Sequence, residues 1–150
     1  MNICTIIAKN YLAHARVLAR SFTEHHPDGT CFVLIIDETA GYVDDAEEPF
    51  TLVRPDQIGL EAFDQMRAAY DVMELSTAVK PWLLRHMLQT HDDGSGVAYM
   101  DPDIRVTSRM TELEAELREH AIVLTPHVLD RKSTRLNSSH TDISRMPSSA

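Results

Sequence analysis

Short runs of consecutive apolar residues constrain the fold of this chain more than any other feature. NICTIIA (2–8) is short and rich in β-branched residues, and CFVLIID (31–37) and GVAYM (96–100) are similarly apolar. Runs of this length favour buried strands over helices. Strands that are apolar at nearly every position are typical of parallel sheets covered by helices on both faces. The sequence therefore predicts an α/β fold with a mostly parallel sheet.

Segments with helical spacing separate these runs. Helices are predicted at 11–26, within 56–71 after a turn, from Ser76 through Leu88, and at 110–120. Pro81 either starts a new helix or kinks the helix from Ser76. Further strands are predicted at 49–55 and 121–126, with 104–107 as an extended continuation of the strand at 96–100. Strands alternating with helices in this order predict a doubly wound α/β domain.

Composition and charge exclude several classes of function. The net charge of -9 disfavours nucleic-acid binding, which depends on Lys and Arg contacts to phosphates. No apolar run approaches the roughly 20 residues that span a bilayer, and the first residues lack the layout of a secretion signal. Cys4 and Cys31 fall inside predicted core strands, which indicates reduced, buried thiols in a cytosolic protein. A disulfide between neighbouring strands is the alternative.

Residues 131–150 differ from the rest of the chain. RKSTRLNSSHTDISRMPSSA is rich in Ser and basic, and its apolar residues follow no useful period, so we expect this tail to be disordered. The tail also resembles translated sequencing-adapter read-through, which implies a non-native segment without an evolved role. A genuine disordered tail is the alternative. The domain is accordingly expected to cover residues 1–130.

Two acids directly after the strand at 96–100 are the clearest candidates for chemistry. In an extended chain Asp101 and Asp103 would project to one face, beyond the carboxyl end of the strand. Open α/β sheets bind ligands at that location. Two close carboxylates repel unless a cation neutralises them, and their oxygens favour Mg²⁺ or Mn²⁺ over zinc. The alternative is that Asp-Pro-Asp forms a solvated turn.

Several segments together resemble a known enzyme family. YDVMELSTAVKPWLLRHML, GVAYMDPDIRV and AIVLTPH look like bacterial nucleotide-sugar glycosyltransferases of the GT-A fold, and ICTIIAKNYLAHARVLARSF with FVLIIDE fits their first two strands. The chain is similar to the lipopolysaccharide-type transferases related to glycogenin. The resemblance covers residues 2 to about 129 and implies the amino-terminal half of a Rossmann-like, GT-A nucleotide-binding fold.

The resemblance assigns the acid pair as the DxD motif of this family. Asp103 would bind the metal directly, and Asp101 would bind the metal, the ribose of the donor, or both. Lys80 would lie on a helix facing the donor, where its ammonium meets the diphosphate or the acid pair. A surface lysine is the alternative interpretation of Lys80.

The resemblance also assigns nucleotide contacts to the first two strands. It nominates Thr5, Ala8 and Asn10 around the first strand and the loop after it, and places Asp37 near the base or ribose. Core packing is an equal alternative for Thr5, and Asn10 could instead cap the first helix.

Other noticeable side chains have structural interpretations. Trp82 is predicted to pack in the core because its neighbours are apolar. His25 and His26 end a predicted helix, where they would interact with its carboxyl-terminal dipole. Arg105 either offsets the acid pair or is exposed, and His127 after the last predicted strand is interpreted as structural.

The resemblance implies an enzyme that transfers sugar from a nucleotide-diphosphate sugar, with a polysaccharide or lipid-linked glycan as the acceptor class. Its expected location is the cytoplasm, or peripherally the inner membrane face. Later strands of the family supply a further metal ligand and most of the acceptor pocket, so a chain without them is expected to be inactive in transfer. One alternative function is a non-catalytic nucleotide-binding domain. The other is a haloacid-dehalogenase-type phosphatase, which the late position of the motif and Arg105 disfavour.

Overall fold

The computed structural model describes residues 1–37, 41, 43–91 and 94–125. Within them, the strands are β1 (Asn2–Ile7), β2 (Cys31–Ile35), β3 (Thr51–Val53) and β4 (Val97–Tyr99). The helices are α1 (Leu12–His25), α2 (Phe63–Ala69), α3 (Val72–Thr90) and α4 (Thr111–Glu119), with 3-10 turns at Lys9–Tyr11 and Pro55–Gln57. These strands form one sheet in the order β3-β2-β1-β4, and every pairing is parallel. The predicted α/β class with a parallel sheet is confirmed.

Both faces of the sheet are covered, which explains why β1 and β2 show no polar alternation. One face packs against α3 and the other against α1. The α3 face joins side chains of β1 and β2 to the buried side of α3: Cys4, Ile6, Phe32, Leu34, Leu75, Val79, Leu83 and Met87. The α1 face joins the alternate strand positions to α1: Ile3, Ile7, Val33, Ile35, Ala15, Leu18, Ala19 and Phe22.

Helix α3 begins earlier than the sequence analysis predicted. Asp71, not Ser76, is its N-cap: the Asp71 carboxylate accepts the Glu74 N–H at 2.8 Å, and the Glu74 carboxylate accepts the Asp71 N–H at 3.1 Å. This reciprocal capping box satisfies two amides that the first turn would otherwise leave unpaired. The helix continues through Pro81, and Trp82 packs partly buried against the α3-face core, as predicted.

The prediction of a strand at 121–126 is wrong over residues 121–125, the part of this range that the structure describes. Residues 121–125 form no strand, and Ile122 and Leu124 are 77% and 82% exposed. A strand needs neighbouring backbone groups to complete its hydrogen bonds, and the described part of the chain places none beside this segment. An apolar sequence alone is therefore not enough to form a strand at this position. The predictions for 126–150, including the non-native tail and His127, lie outside the described residues.

The cysteines match their prediction. Cys4 and Cys31 are free and buried, and they belong to the cores on opposite faces of the sheet. Burial raises the pKa of both thiols to about 12, with Cys31 adding to the effect at Cys4. Among the described residues, no helix combines the length and apolarity needed to cross a membrane.

Candidate functional site

The strand order places a topological switch point at the carboxyl ends of β1 and β4. From β1 the chain moves outward to β2 and β3, and it then returns to add β4 on the other side of β1. Such a reversal is a topological switch point, and ligands of open α/β sheets bind outside the carboxyl ends of the strands there. We call the residues at and beside these strand ends the switch-point site: Ala8, Lys9, Lys80, Tyr99 and Asp101.

Lys80 and Asp101 come together at the switch-point site. The Lys80 ammonium projects from α3 to within 3.7 Å of a carboxylate oxygen of Asp101 and lies 4.4 Å from the ring centroid of Tyr99. The side chains of Lys80 and Asp101 are 36% and 64% exposed, respectively. An exposed ion pair contributes at most about 1 kcal/mol, and an exposed cation–π contact about 0.5–1 kcal/mol. The Lys80 ammonium thus lies beside the end of β4, and its contacts with Asp101 and Tyr99 are weak enough to be replaced by other contacts.

The Tyr99 ring links this ion pair to the buried end of β1. Burial, and next the Asp101 carboxylate, raise the pKa of the Tyr99 hydroxyl well above its ordinary value, because both disfavour the phenolate. The Ile6 N–H and the Thr5 hydroxyl lower the pKa of the Tyr99 hydroxyl, but by less than burial and Asp101 raise it. Tyr99 therefore serves as a neutral platform beneath Lys80.

Thr5 is fully buried, and its hydroxyl oxygen has no hydrogen-bond partner among the described residues. Its approach to Tyr99 thus falls short of hydrogen-bond geometry. A buried hydroxyl without a partner costs about 1–3 kcal/mol, so such groups are uncommon in folded proteins. Thr5 is thus packed inside the strand, as the core-packing alternative expected, while its contact with a ligand stays a prediction.

The acid pair does not have the extended geometry that the sequence analysis assumed. Pro102 and Asp103 lie in a turn, and the Ile104 N–H donates to the Asp101 carbonyl at 3.2 Å. The period-two argument for a shared face therefore does not apply. Asp101 meets Lys80 on the α3 side, whereas Asp103 lines a groove of about 190 Å³ against α1, with Ala13, His14, Val17, Pro102 and Ile104. A cation bridging the two acids stays a prediction.

Asp37 connects the ends of β1 and β2. One of its carboxylate oxygens accepts the Lys9 N–H at 2.9 Å. Asp37 also lines a groove of about 190 Å³ between the ends of β2 and β3, with Ile35, Leu52, Val53, Arg54, Pro55 and Asp56. The nominated Asp37 is thus at the same edge of the sheet as the switch-point site.

The remaining nominated residues lie in the turn after β1. Ala8 is buried, and its carbonyl accepts the Tyr11 N–H at 2.9 Å. Asn10 is exposed within the 3-10 turn, and Tyr11 rather than Asn10 occupies the N-cap position of α1. The interpretation of Asn10 as the helix cap is therefore wrong, because the 3-10 turn inserts one further residue before the helix.

Two buried polar residues on α1 and its carboxyl end hold the segment that follows the acid pair. The Ser21 hydroxyl accepts the Val106 N–H at 3.1 Å and donates to the Leu18 carbonyl at 3.0 Å. His26 Nε2 accepts the Met110 N–H at 3.1 Å. We call Ser21 and His26 the α1 clamp. Sequence analysis assigned His26 to the helix dipole and missed Ser21, because both partners are distant in the chain.

The carboxylates of Asp101 and Asp103 are oxygen donors of the kind that Mg²⁺ and Mn²⁺ prefer. Over the described ranges, no three or more His, Cys, Asp or Glu side chains are arranged to hold a metal ion. A cation at this edge would take its other ligands from water or from a bound diphosphate, as Mg²⁺ sites in proteins usually do. Each of the two carboxylates offers oxygen ligands of this kind, but they lie on different sides of the turn, so an ion shared by both stays a prediction.

A larger open cavity of about 800 Å³ lies away from these residues, between α1 and the acidic loop before β3. Arg16 there donates to both carboxylate oxygens of Glu48, at 2.6 and 2.9 Å. This bidentate pair holds the loop against the helix. The described lining residues of this cavity belong to α1 and to this loop, and not to the switch-point site.

Comparison of the chain with models of known protein families, with curated proteins and with solved structures finds no match.

Proposed function

We propose that this chain is the donor-binding part of a metal-dependent glycosyltransferase that uses nucleotide-diphosphate sugars. The observation that carries the proposal is the Lys80–Asp101 pair at the switch point of a parallel sheet. The motif resemblance supplies the reaction class, and the pair supplies a cation and a carboxylate where such sheets bind phosphorylated ligands.

Lys80 is the proposed first contact of the donor's diphosphate. Its present partner, Asp101, lies at 3.7 Å in a largely exposed pair, so little free energy opposes an exchange of partners. An arriving diphosphate offers Lys80 more negative charge than one carboxylate does. The exchange would release Asp101 to bind a divalent cation, or the ribose, beside the same diphosphate.

The other nominated residues have roles set by their positions. Asp37 would hold the ribose or base in the groove between the ends of β2 and β3. Thr5, Ala8 and Asn10 lie along the path from the buried end of β1 to the surface of the following turn. Asp103 would reach the cation from the α1 side. A bound Mg²⁺ or Mn²⁺ would supply positive charge for the departing nucleoside diphosphate.

The test is calorimetric binding of UDP and GDP to the full chain, with and without Mn²⁺. We expect one of them to bind in a Mn²⁺-dependent manner, and Asp101→Asn or Asp103→Asn to weaken binding about tenfold or more. A charge-assisted contact contributes about 1.5–3 kcal/mol, and about 1.4 kcal/mol is tenfold. Asp28→Asn is the matched control, since Asp28 is an exposed acid before β2, at the opposite edge of the sheet.

Binding that is unaffected by Mn²⁺, by Asp101→Asn and by Asp103→Asn would overturn the proposed site. Nucleoside-diphosphate binding without any preference for a nucleotide sugar would favour a non-catalytic nucleotide-binding domain. Release of phosphate from p-nitrophenyl phosphate that depends on Asp101 would instead favour a phosphatase.

A further inference from the structure

The hydrogen bonds of His26 define which of its ring nitrogens carries a proton. His26 is 2% exposed and stacks on Phe22, with ring centroids 4.8 Å apart. Its Nε2 lies 3.1 Å from the Met110 amide nitrogen, which can only donate. Nε2 is therefore the acceptor, and the single proton of the neutral ring is on Nδ1, 3.2 Å from a carboxylate oxygen of Glu114.

Protonation of His26 is incompatible with this arrangement. An imidazolium carries a proton on both nitrogens and has no lone pair left for the Met110 N–H. Two N–H groups would then face each other at the start of α4, in a site with little access to water. Either the ring stays neutral or the contact with Met110 opens.

We propose that His26 is a pH-dependent latch, which fastens the start of α4 to the end of α1 when neutral and releases it when protonated. The latch belongs to the α1 clamp. Ser21, the other member, keeps its bond to the Val106 N–H, so release begins at Met110 and runs into α4. This inference does not depend on the proposed sugar transfer, since it concerns only how the end of α1 holds the start of α4.

Three charged groups of the described residues act on the His26 ring. Glu114 on α4 favours the imidazolium, while Arg109 before α4 and the amino terminus beside β1 oppose it. Arg109 also donates to both oxygens of Glu114, at 3.2 and 3.3 Å, which reduces the attraction that Glu114 exerts on a second cation. Burial is the largest effect, and together these groups lower the pKa of His26 below its ordinary value.

The sign of the pH effect follows from this direction. The latched state binds a proton less readily than the open state, whose His26 has a pKa of about 6.5. Latching is therefore complete above about pH 6.5 and weakens as pH falls from there toward the lower pKa of the latched state. Each pH unit in that window changes the latching equilibrium by up to about tenfold. The pKa of Glu114 is itself lowered, mainly by Arg109, so Glu114 stays charged throughout this window.

Hydrogen exchange of the full chain between pH 7.5 and 5.5, corrected for intrinsic rates, tests the latch. We expect protection of the amides of α4 to fall by up to about tenfold, while that of β1 and β2 is retained. In His26→Gln, the side-chain oxygen can accept the Met110 N–H at any pH, so protection of α4 should become independent of pH. In His26→Phe, which keeps the stacking but has no acceptor, α4 should be unprotected at both pH values.

His86→Gln is the matched control. Burial and His91 lower the pKa of His86 as well, but His86 lies on α3, so this variant should keep the wild-type pH response of α4. The same loss of protection in His26→Gln as in the wild type would overturn the latch. Nitrogen NMR of the wild-type ring at pH 7.5 gives a second test without any substitution: a proton on Nε2 instead of Nδ1 would also overturn it.

Discussion

Replacement of Ser21 by Ala isolates the bond that holds the segment after the acid pair. The Ser21 hydroxyl accepts the Val106 N–H, and Val106 itself is buried at 6% exposure. Ser21→Ala leaves that N–H buried without a partner, which costs about 1–3 kcal/mol. Ala favours the helix over Ser by up to about 0.5 kcal/mol. The expected net loss in the free energy of unfolding is about 0.5–2.5 kcal/mol.

Urea denaturation followed by circular dichroism measures this loss. With a denaturant dependence of about 1–3 kcal/mol/M, a loss near 1.5 kcal/mol lowers the midpoint by about 0.5–1.5 M. Thr23→Ala is the matched control: Thr23 also donates to a carbonyl one turn back, the Ala19 oxygen at 2.9 Å, but Thr23 is exposed. The control should change stability by less than about 0.5 kcal/mol. Equal midpoints for the two variants would refute the role assigned to Ser21.

Further predictions concern the core, the helix cap, the thiols and the candidate site. Leu83→Ala, at a fully buried position of α3, should lower the free energy of unfolding by about 2–5 kcal/mol, whereas Leu88→Ala at a 54% exposed position should cost less than about 1 kcal/mol; equal losses in denaturation would contradict the assigned face. Asp71→Ala should cost about 0.5–2 kcal/mol by removing the N-cap, and an unchanged thermal midpoint would argue against the capping box. Because the pKa of both thiols is raised to about 12, a disulfide reagent at pH 8 should label Cys4 and Cys31 only after unfolding in urea, and rapid labelling of the native chain would contradict their burial. Lys80→Gln should change stability by less than about 1 kcal/mol but weaken nucleoside-diphosphate binding in calorimetry, and unchanged affinity would remove Lys80 from the site.

The layers of the fold were predictable because β1 and β2 are apolar at nearly every position. That pattern follows directly from burial on two faces, so it indicates a parallel sheet without knowledge of the pairing. The start of α3 was also predictable from the sequence, since Asp71 and Glu74 have the spacing of a capping box. The sequence analysis instead predicted that this helix begins at Ser76. At 121–125 the apolar pattern was misleading, because strand formation depends on a neighbour that no local pattern reveals.

The position of Asp101 at the end of β4 was predictable from the sequence, whereas the geometry of the acid pair was not. An acid directly after β4 indicates the carboxyl edge of the sheet, and the structure places Asp101 there beside Lys80. The turn at Pro102 was considered as an alternative, and the structure contains it. The bonds from Ser21 to Val106 and from His26 to Met110 join residues 85 and 84 positions apart. Such contacts are set by tertiary packing, so local sequence carried no signal for them.

In the proposed function, a nucleoside diphosphate and its cation bind at the carboxyl ends of β1 and β4. Paramagnetic broadening of amide signals by Mn²⁺, with UDP or GDP present, reports the position of the cation. We expect the amide signals of Lys9 and Asp101 to broaden only when the nucleotide is present, and this broadening to be lost in Asp101→Asn, while the signal of Asp28 stays sharp. Broadening centred elsewhere, or unchanged in Asp101→Asn, would show that the cation does not bind at these strand ends.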